Sequence, residues 1–463
     1  MTSSGRLPHP LILLLAAVGV AAILTWIVPA GAFDRKDDPA TGRRVVVAGT
    51  YHRVDRAPVG PFGAAVAVSR GFVAGADVIA VVLFVGGAWV VVDRLGTLPA
   101  VVAALVGRFR RRRLWAIPVV CSFFAVMGAL ENMQEEIIPL VPVLLVLGEG
   151  LGVDAVAVVA MSAGAAMIGS AFGPTNPFQA GIALKLAQLP PFAGGGVRLA
   201  MFVVGLIAWI GWILRYAHLR PAGDRPPSPS ALTSVPAGAN LRPGAAPPPS
   251  LPARHALILT IALAPMAAYV YGALRLDWGF NELSGAFLIA AIVAGLVGGL
   301  GITGTLTTYV EGAQSLLPAA LMIGVARSIS LVLEDGHVVD TILNALAAAL
   351  IRGPAVLGSF LQIAAHALIH VVVPSVSGQA VLTMPLFVPL ADLLGFSRQV
   401  PVLAYQTGAG LTELVTPTNG ALMAVLLAAG VSFERWIRFV AGAVAIAVAI
   451  GVAGIAAALW LGL

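Results

Sequence analysis

Gly173-Pro174-Thr175-Asn176-Pro177 interrupts an apolar segment that begins near Val153, and Thr416-Pro417-Thr418-Asn419-Gly420 interrupts another that begins near Val400. Proline removes a backbone donor and clashes with the preceding turn, so each stretch reads as a helix broken in mid-course. Both breaks carry Pro-Thr-Asn, and each follows a polar interruption at a matched distance. Asn176 lies 41 positions after Glu135, and Asn419 lies 42 after Ser377. Around them the order is the same in both halves: span, acidic-glycine turn, short helix, hairpin, broken helix, final span. The chain therefore contains an ordered internal repeat, and the repeat places its two irregular points together.

The surroundings show which solvent these segments occupy. Of 463 residues, 59% are hydrophobic and only 10% charged, against roughly 25% charged in a soluble domain. The apolar residues come in blocks long enough for a hydrocarbon core about 30 Å thick. The expected class is an all-α polytopic membrane protein. The formal charge of +6 does not indicate nucleic acid, because the arginines sit in short loops beside apolar segments, where cytoplasmic retention of positive charge explains them. The single cysteine, Cys121, excludes an intramolecular disulfide and a cysteine-rich metal site.

Residues 1–219 form the first transmembrane half. Pro10 to Val28 reads as an uncleaved first span; Ala30 and Ala32 imitate a signal-peptide cleavage site, but the apolar run exceeds a usual h-region. Residues 33 to 58 are polar and read as an external loop, and a second span runs from about Val78 to Val92. Arg108, Arg110, Arg111, Arg112 and Arg113 then place the following loop, and with it the N-terminus, in the cytoplasm, where they can also meet anionic lipid. A hairpin over 114–148 has the polar tip Glu131-Asn132-Met133-Gln134-Glu135-Glu136, and each arm is short for a full span, as in a re-entrant pair. The break at 173–177 follows, then a span from about Val197 to Leu214.

Residues 220–253 hold about ten prolines among Gly, Ser and Ala and read as a flexible cytoplasmic linker. Residues 254–463 form the second half, with an extra span over 256–272, further spans near 284–303 and 318–333, a hairpin over 355–394 and the break at 416–420. The second tip is Pro374-Ser375-Val376-Ser377-Gly378-Gln379, and the last span occupies about Trp436 to Leu461. If each hairpin returns to its own side, the two units start on opposite sides and are inverted, the arrangement many secondary transporters use. Arg215, Arg220, Arg435 and Arg438 all then fall on the cytoplasmic face.

A helix broken at membrane depth leaves backbone groups that lipid does not satisfy, so the break is buried in protein or faces water. Its freed carbonyls, with the oxygens of Thr175, Asn176, Thr418 and Asn419, suit a sodium ion, and helix N-termini at that depth suit an anionic group. Glu131, Glu135, Glu136 and Glu413 interrupt otherwise uncharged regions, where carboxylates mark ion or substrate routes. Glu131 and Glu135 share a face if the tip stays helical. The alternative is a tip that reaches the membrane surface with its acids solvated. His366 and His370 also share a helical face, but Ala367, Leu368 and Ile369 between them carry no metalloprotease signature. They suit proton handling or hydrogen bonding between helices. Tyr405, Gln406 and Thr407 either line the cavity or join helices as polar glue.

Pro29-Ala30-Gly31-Ala32-Phe33, Gly49-Thr50-Tyr51-His52-Arg53-Val54, Glu135-Glu136-Ile137-Ile138-Pro139, Thr175-Asn176-Pro177-Phe178, Ser377-Gly378-Gln379-Ala380 with Thr383-Met384-Pro385, and Thr416-Pro417-Thr418-Asn419-Gly420 together resemble the YfcC family. That family stands in the C4-dicarboxylate anaerobic carrier (DcuC-like) group of the ion transporter superfamily, which includes proteins named as basic amino acid antiporters. The resemblance covers nearly the whole chain. It implies a bacterial inner-membrane carrier with two re-entrant hairpins, a homodimer with a scaffold and an elevator-like transport domain. It supports as site residues Glu135, Glu136, Thr175, Asn176, Ser375, Ser377, Gly378, Gln379, Thr416, Thr418 and Asn419, beside the polar Glu131 and Asn132. Where similar sequences tend to have an acid and then Asn before the second break, this chain has Ala409 and Glu413, and its first tip is more polar through Asn132 and Gln134.

The expected function is secondary active transport of a small carboxylate-bearing metabolite, an amino acid or a C4-dicarboxylate, by alternating access. Na+ or H+ coupling or exchange drives it, and no cofactor is expected. The alternatives are a channel, or an intramembrane enzyme. The sequence has no Walker loop, nucleophile elbow or dinucleotide fingerprint. With no arginine at either tip or break, a dicarboxylate would depend on helix N-termini and Ser, Thr and Asn donors, whereas the glutamates suit a cationic group.

Overall fold

The computed structural model describes residues 10–38, 43–98, 100–101, 104, 115–174, 176–190, 192–219, 251–276, 278–351 and 355–463. Thr175, Arg108, the arginines at 110–113 and all but the last three residues of the 220–253 linker lie outside them.

The first half contains α1 (Pro10–Ile27), α2 (Pro61–Ala74), α3 (Ala76–Arg94), α4 (Ala116–Glu131), α5 (Val141–Leu151), α6 (Ala155–Phe172), α7 (Ile182–Leu186) and α8 (Gly195–Leu219). The second contains α9 (Ala253–Arg275), α10 (Phe280–Val297), α11 (Gly301–Ser315), α12 (Leu317–Asp335), α13 (Val339–Ile351), α14 (Ala355–Val372), α15 (Val376–Leu393), α16 (Gln399–Thr412), α17 (Gly420–Ala428) and α18 (Phe433–Leu461). Seven of the described helices, α3, α6, α8, α10, α12, α15 and α18, are long and apolar enough to cross a bilayer. Their outer faces present residues such as Ile207, Ile289 and Trp460 to the surroundings, as lipid-facing surfaces do.

The halves interlock reciprocally. Helix α2 packs on α12, while α11, its counterpart, packs on α3, the counterpart of α12. Likewise α1 packs on α12 and α10 on α3. In the other layer α4 lies on α6 and α14 on α16, α8 lies against α6 and α18 against α16, and α6 crosses α16 at the centre. That crossing explains why α6 is 94% buried while α8 and α18 are 28% buried. Helix α9 stands at the place of the extra span, ahead of the repeated unit.

Close helix contact depends on small residues. A Cβ at Gly169 of α6 would overlap the carbonyl oxygen of Ala125 in α4, and a Cβ at Gly408 of α16 would overlap that of Ile363 in α14. Cys121, on α4, is fully buried.

Two segments differ from the sequence reading. The polar stretch 33–58 contains strands: Gly31–Ala32 pairs with His52–Arg53, and Arg35–Asp38 with Arg43–Val46, both antiparallel. They dock on the second half, where Asp340 accepts from the Phe33 backbone N–H at 3.0 Å and pairs with Arg35 at 2.9 Å. Helices α2 and α11 are the second difference. Ser69 and Arg70 in one and four threonines in the other interrupt their apolar runs, so run length alone passes over them, and packing on α12 and α3 holds them helical.

Candidate functional site

Helix α4 stops at Glu131 because Asn132 adopts a left-handed conformation (φ 60°) that Asn tolerates better than most residues. Residues 135–140 then form a 3₁₀ helix leading into α5. The shared face expected of Glu131 and Glu135 is therefore not formed: the helical register is lost at Asn132, between them. The Glu131 and Thr175 side chains are not described.

Asn176 and Asn419 hold equivalent positions. The Asn176 amide oxygen accepts from the N–H groups of Phe178 and Gln179 at 2.9 and 3.0 Å, and that of Asn419 from Ala421 and Leu422 at 3.0 and 3.2 Å. Each asparagine thus caps the helix that resumes after its break. Each also gives its amide N–H to the first tip, Asn176 to Asn132 at 3.1 Å and Asn419 to Gln134 at 3.5 Å. The first tip is tied to both breaks.

Carbonyls freed by the irregular turns find donors nearby. Gln406 donates to Gly173 O at 3.2 Å and Trp436 to Leu414 O at 2.7 Å, while Trp209 adds a second donor, at 2.9 Å, to Ala160 O, which also accepts from Ala165 N–H in a π turn of α6. Gln406 and Tyr405, whose hydroxyl donates to Val376 O at 2.5 Å, act between helices and are not among the cavity-lining residues.

A buried polar chain joins the second hairpin to the first tip. Gln379 donates to the His366 carbonyl oxygen at 2.8 Å and meets His370 Nδ1 at 2.8 Å. His370 Nε2 lies 3.8 Å from Glu413 Oε1, and Gln134 donates to Glu413 Oε2 at 2.5 Å. Glu136 accepts from the Gln134 N–H at 3.1 Å. The histidines thus join helices. Among the described residues, no group of three or more His, Cys, Asp or Glu is arranged to hold a metal ion.

One cavity of about 470 Å³ lies where these parts meet. Asn132, Gln134 and Glu135 line it from the first tip, Ser375 and Ser377 from the second, and Glu413, Thr418 and Asn419 from the second break; Phe178 comes from just beyond the first. Glu136, Asn176, Gly378, Gln379 and Thr416 stand behind this lining. Thr416 shares a 2.7 Å hydrogen bond with Thr418, and Ser375 caps α15 by accepting from Gly378 N–H at 3.3 Å. Two charged residues that the motif reading did not single out also line the cavity: Asp77, in the first turn of α3, and Arg327, midway along α12. The available signal was Arg327 itself, a basic side chain inside an apolar span.

The chain belongs to the C4-dicarboxylate anaerobic carrier family, whose model matches residues 7–459, and it is a multi-pass membrane transporter. It is 28% identical over 481 aligned positions to the Escherichia coli K12 protein named "Putative basic amino acid antiporter YfcC", covering 94% of this chain and 93% of that one. In structure it is similar to the YdaH transporter of Alcanivorax borkumensis, with a TM-score of 0.43 and 16% identity over 98% of this chain and 99% of that one. It is also similar to MtrF of Neisseria gonorrhoeae, described with a class of antimetabolite efflux pumps, with a TM-score of 0.41 and 16% identity over 97% and 95% of the two chains.

Proposed function

We propose that the protein is a secondary active transporter of a small carboxylate-bearing metabolite, with amino acids preferred over C4-dicarboxylates, working by alternating access in a bacterial inner membrane. The observation that carries this reading is the cavity shared by both tips and the second break, lined by three carboxylates, Asp77, Glu135 and Glu413, and one arginine, Arg327. Three acids beside one base disfavour a doubly anionic substrate and suit one with a cationic group. The name of the Escherichia coli relative agrees with that preference.

In this reading the two helix–tip–helix units are re-entrant, the halves are inverted repeats, and the N-terminus and linker are cytoplasmic. The tip-and-break layer moves in an elevator-like manner within a homodimer. The coupling ion is Na+ or H+. Because the amide oxygens of Asn176 and Asn419 each already accept two backbone N–H groups, a sodium ion there would draw on break carbonyls and the Thr418 hydroxyl. A proton would use Glu135 or Glu413.

Purified protein in liposomes tests the reading with labelled L-lysine and succinate, under an imposed Na+ gradient, a pH gradient or counter-loaded substrate. Saturable uptake that depends on one of these driving conditions is expected. Flux that rises linearly with concentration and ignores all three would mean a channel and overturn it.

A further inference from the structure

We propose that Arg327 and Asp77 read the two ends of a zwitterion: the guanidinium takes the carboxylate of an α-amino acid and the Asp77 carboxylate takes its ammonium group. The inference rests on the carrier reading above and names the substrate polarity of that site. Both residues line the central cavity, yet they belong to α12 and α3, outside the tips and breaks.

Arg327 is half-buried midway along an apolar helix, where an arginine is costly to keep without a partner or a function. Several other arginines of this fold have carboxylate partners: Arg35 with Asp340, Arg70 with Asp335, Arg94 with Glu311, Arg398 with Asp392, Arg435 with Asp154; the buried Arg198 instead donates to Gln399 and the Ala193 carbonyl oxygen. Among the described residues the Arg327 side chain makes no hydrogen bond or ion pair. Among the described residues the exposed Asp77 side chain accepts only the neighbouring Val78 N–H, at 2.9 Å. Two opposite charges thus face one cavity unpaired, in the polarity that an amino acid bridges.

The other charges strengthen the assignment. Asp77, Glu135 and Glu413 put three carboxylates on the same cavity, so a cationic side chain on the substrate would also be welcome. A C4-dicarboxylate would satisfy Arg327 with one end, and its other end would face Asp77, Glu135 and Glu413 with only neutral Ser, Thr, Asn and Gln donors to hold it. The planar guanidinium fork matches a carboxylate in two parallel hydrogen bonds, which a lysine at that position does not reproduce.

The test measures stabilisation and uptake by the full-length protein with L-lysine, L-arginine and L-serine, each beside its decarboxylated amine (cadaverine, agmatine, ethanolamine), and with succinate. In wild type at least one amino acid binds, and its amine binds about 100-fold more weakly, the usual scale for losing one partner of a desolvated charged pair. Arg327→Gln brings that amino acid down to the level of its amine and does not weaken the amine, and Arg327→Lys restores binding only in part. Asp77→Asn weakens amino acid and amine together. A general packing role for Arg327 would lower both ligands alike in Arg327→Gln, and that result overturns the proposal, as does no change for either. Succinate bound and transported with no amino acid overturns this inference and leaves the carrier standing. No binding or uptake of any probe overturns the substrate class on which both rest.

Discussion

Asn176 and Asn419 do two jobs with one amide each: the oxygen starts a helix and the nitrogen holds the first tip. Serine separates the jobs, since its hydroxyl caps a helix about as well as Asn but it lacks the amide nitrogen that reaches the first tip. Asn176→Ser and Asn419→Ser should keep most of the thermal stability, whereas the alanine variants lose about 1 kcal/mol more through the missing cap. Transport should fall at least about tenfold in all four, because each loses the tie to Asn132 or Gln134 that holds the first tip against the break. Thermal unfolding and liposome uptake on the same preparations check both parts; serine variants that transport at the wild-type rate would mean that the tie is dispensable. The letters Pro-Thr-Asn marked both positions in the sequence. Spacing could not show that each asparagine oxygen turns back on its own helix, or that Arg327 and Asp77, far away in the chain, reach the same cavity.

The broken helices depend on their neighbours at the scale of whole elements. Trp209 of α8 and Trp436 of α18 play matching parts, each donating its indole N–H to a carbonyl of the preceding broken helix. Trp209→Phe and Trp436→Phe keep most of the ring volume and remove the donor; Trp436→Phe should cost about 1–3 kcal/mol, the penalty of an unpaired buried carbonyl, and Trp209→Phe about 1 kcal/mol, since Ala160 O keeps the Ala165 N–H, each read as a lower midpoint in thermal unfolding. Gly169→Ala and Gly408→Ala attack the other contact of the same helices. Each forces α6 from α4, or α16 from α14, and should cost about 1–3 kcal/mol by overpacking, with loss of folded protein on gel filtration as the coarser readout. Long apolar runs and proline breaks were legible because they follow from local chemistry. Helices α2 and α11 and the strands of 31–53 were not, because what holds them, α12, α3 and Asp340, lies elsewhere in the chain.

Each half of the molecule completes the other. With α2 seated on α12 and α11 on α3, neither half has a full set of partners for its own helices. Residues 1–230 or 240–463 expressed alone should be degraded or aggregate, while the two pieces expressed together should copurify and transport. Recovery of a monodisperse, folded first half by itself would mean that the reciprocal packing adds little. The repeat was visible in the sequence as order and spacing; its reciprocity was not, since contact between halves has no local signature.

Cys121 is the chain's single thiol and is fully buried on α4. Water-borne thiol reagents therefore find almost nothing to modify on the folded wild-type protein. A cysteine introduced by Ser377→Cys, on the cavity wall, becomes the one position they label. In oriented membranes, the side from which labelling proceeds, and its change when substrate or coupling ion is added, reports directly which way the cavity faces.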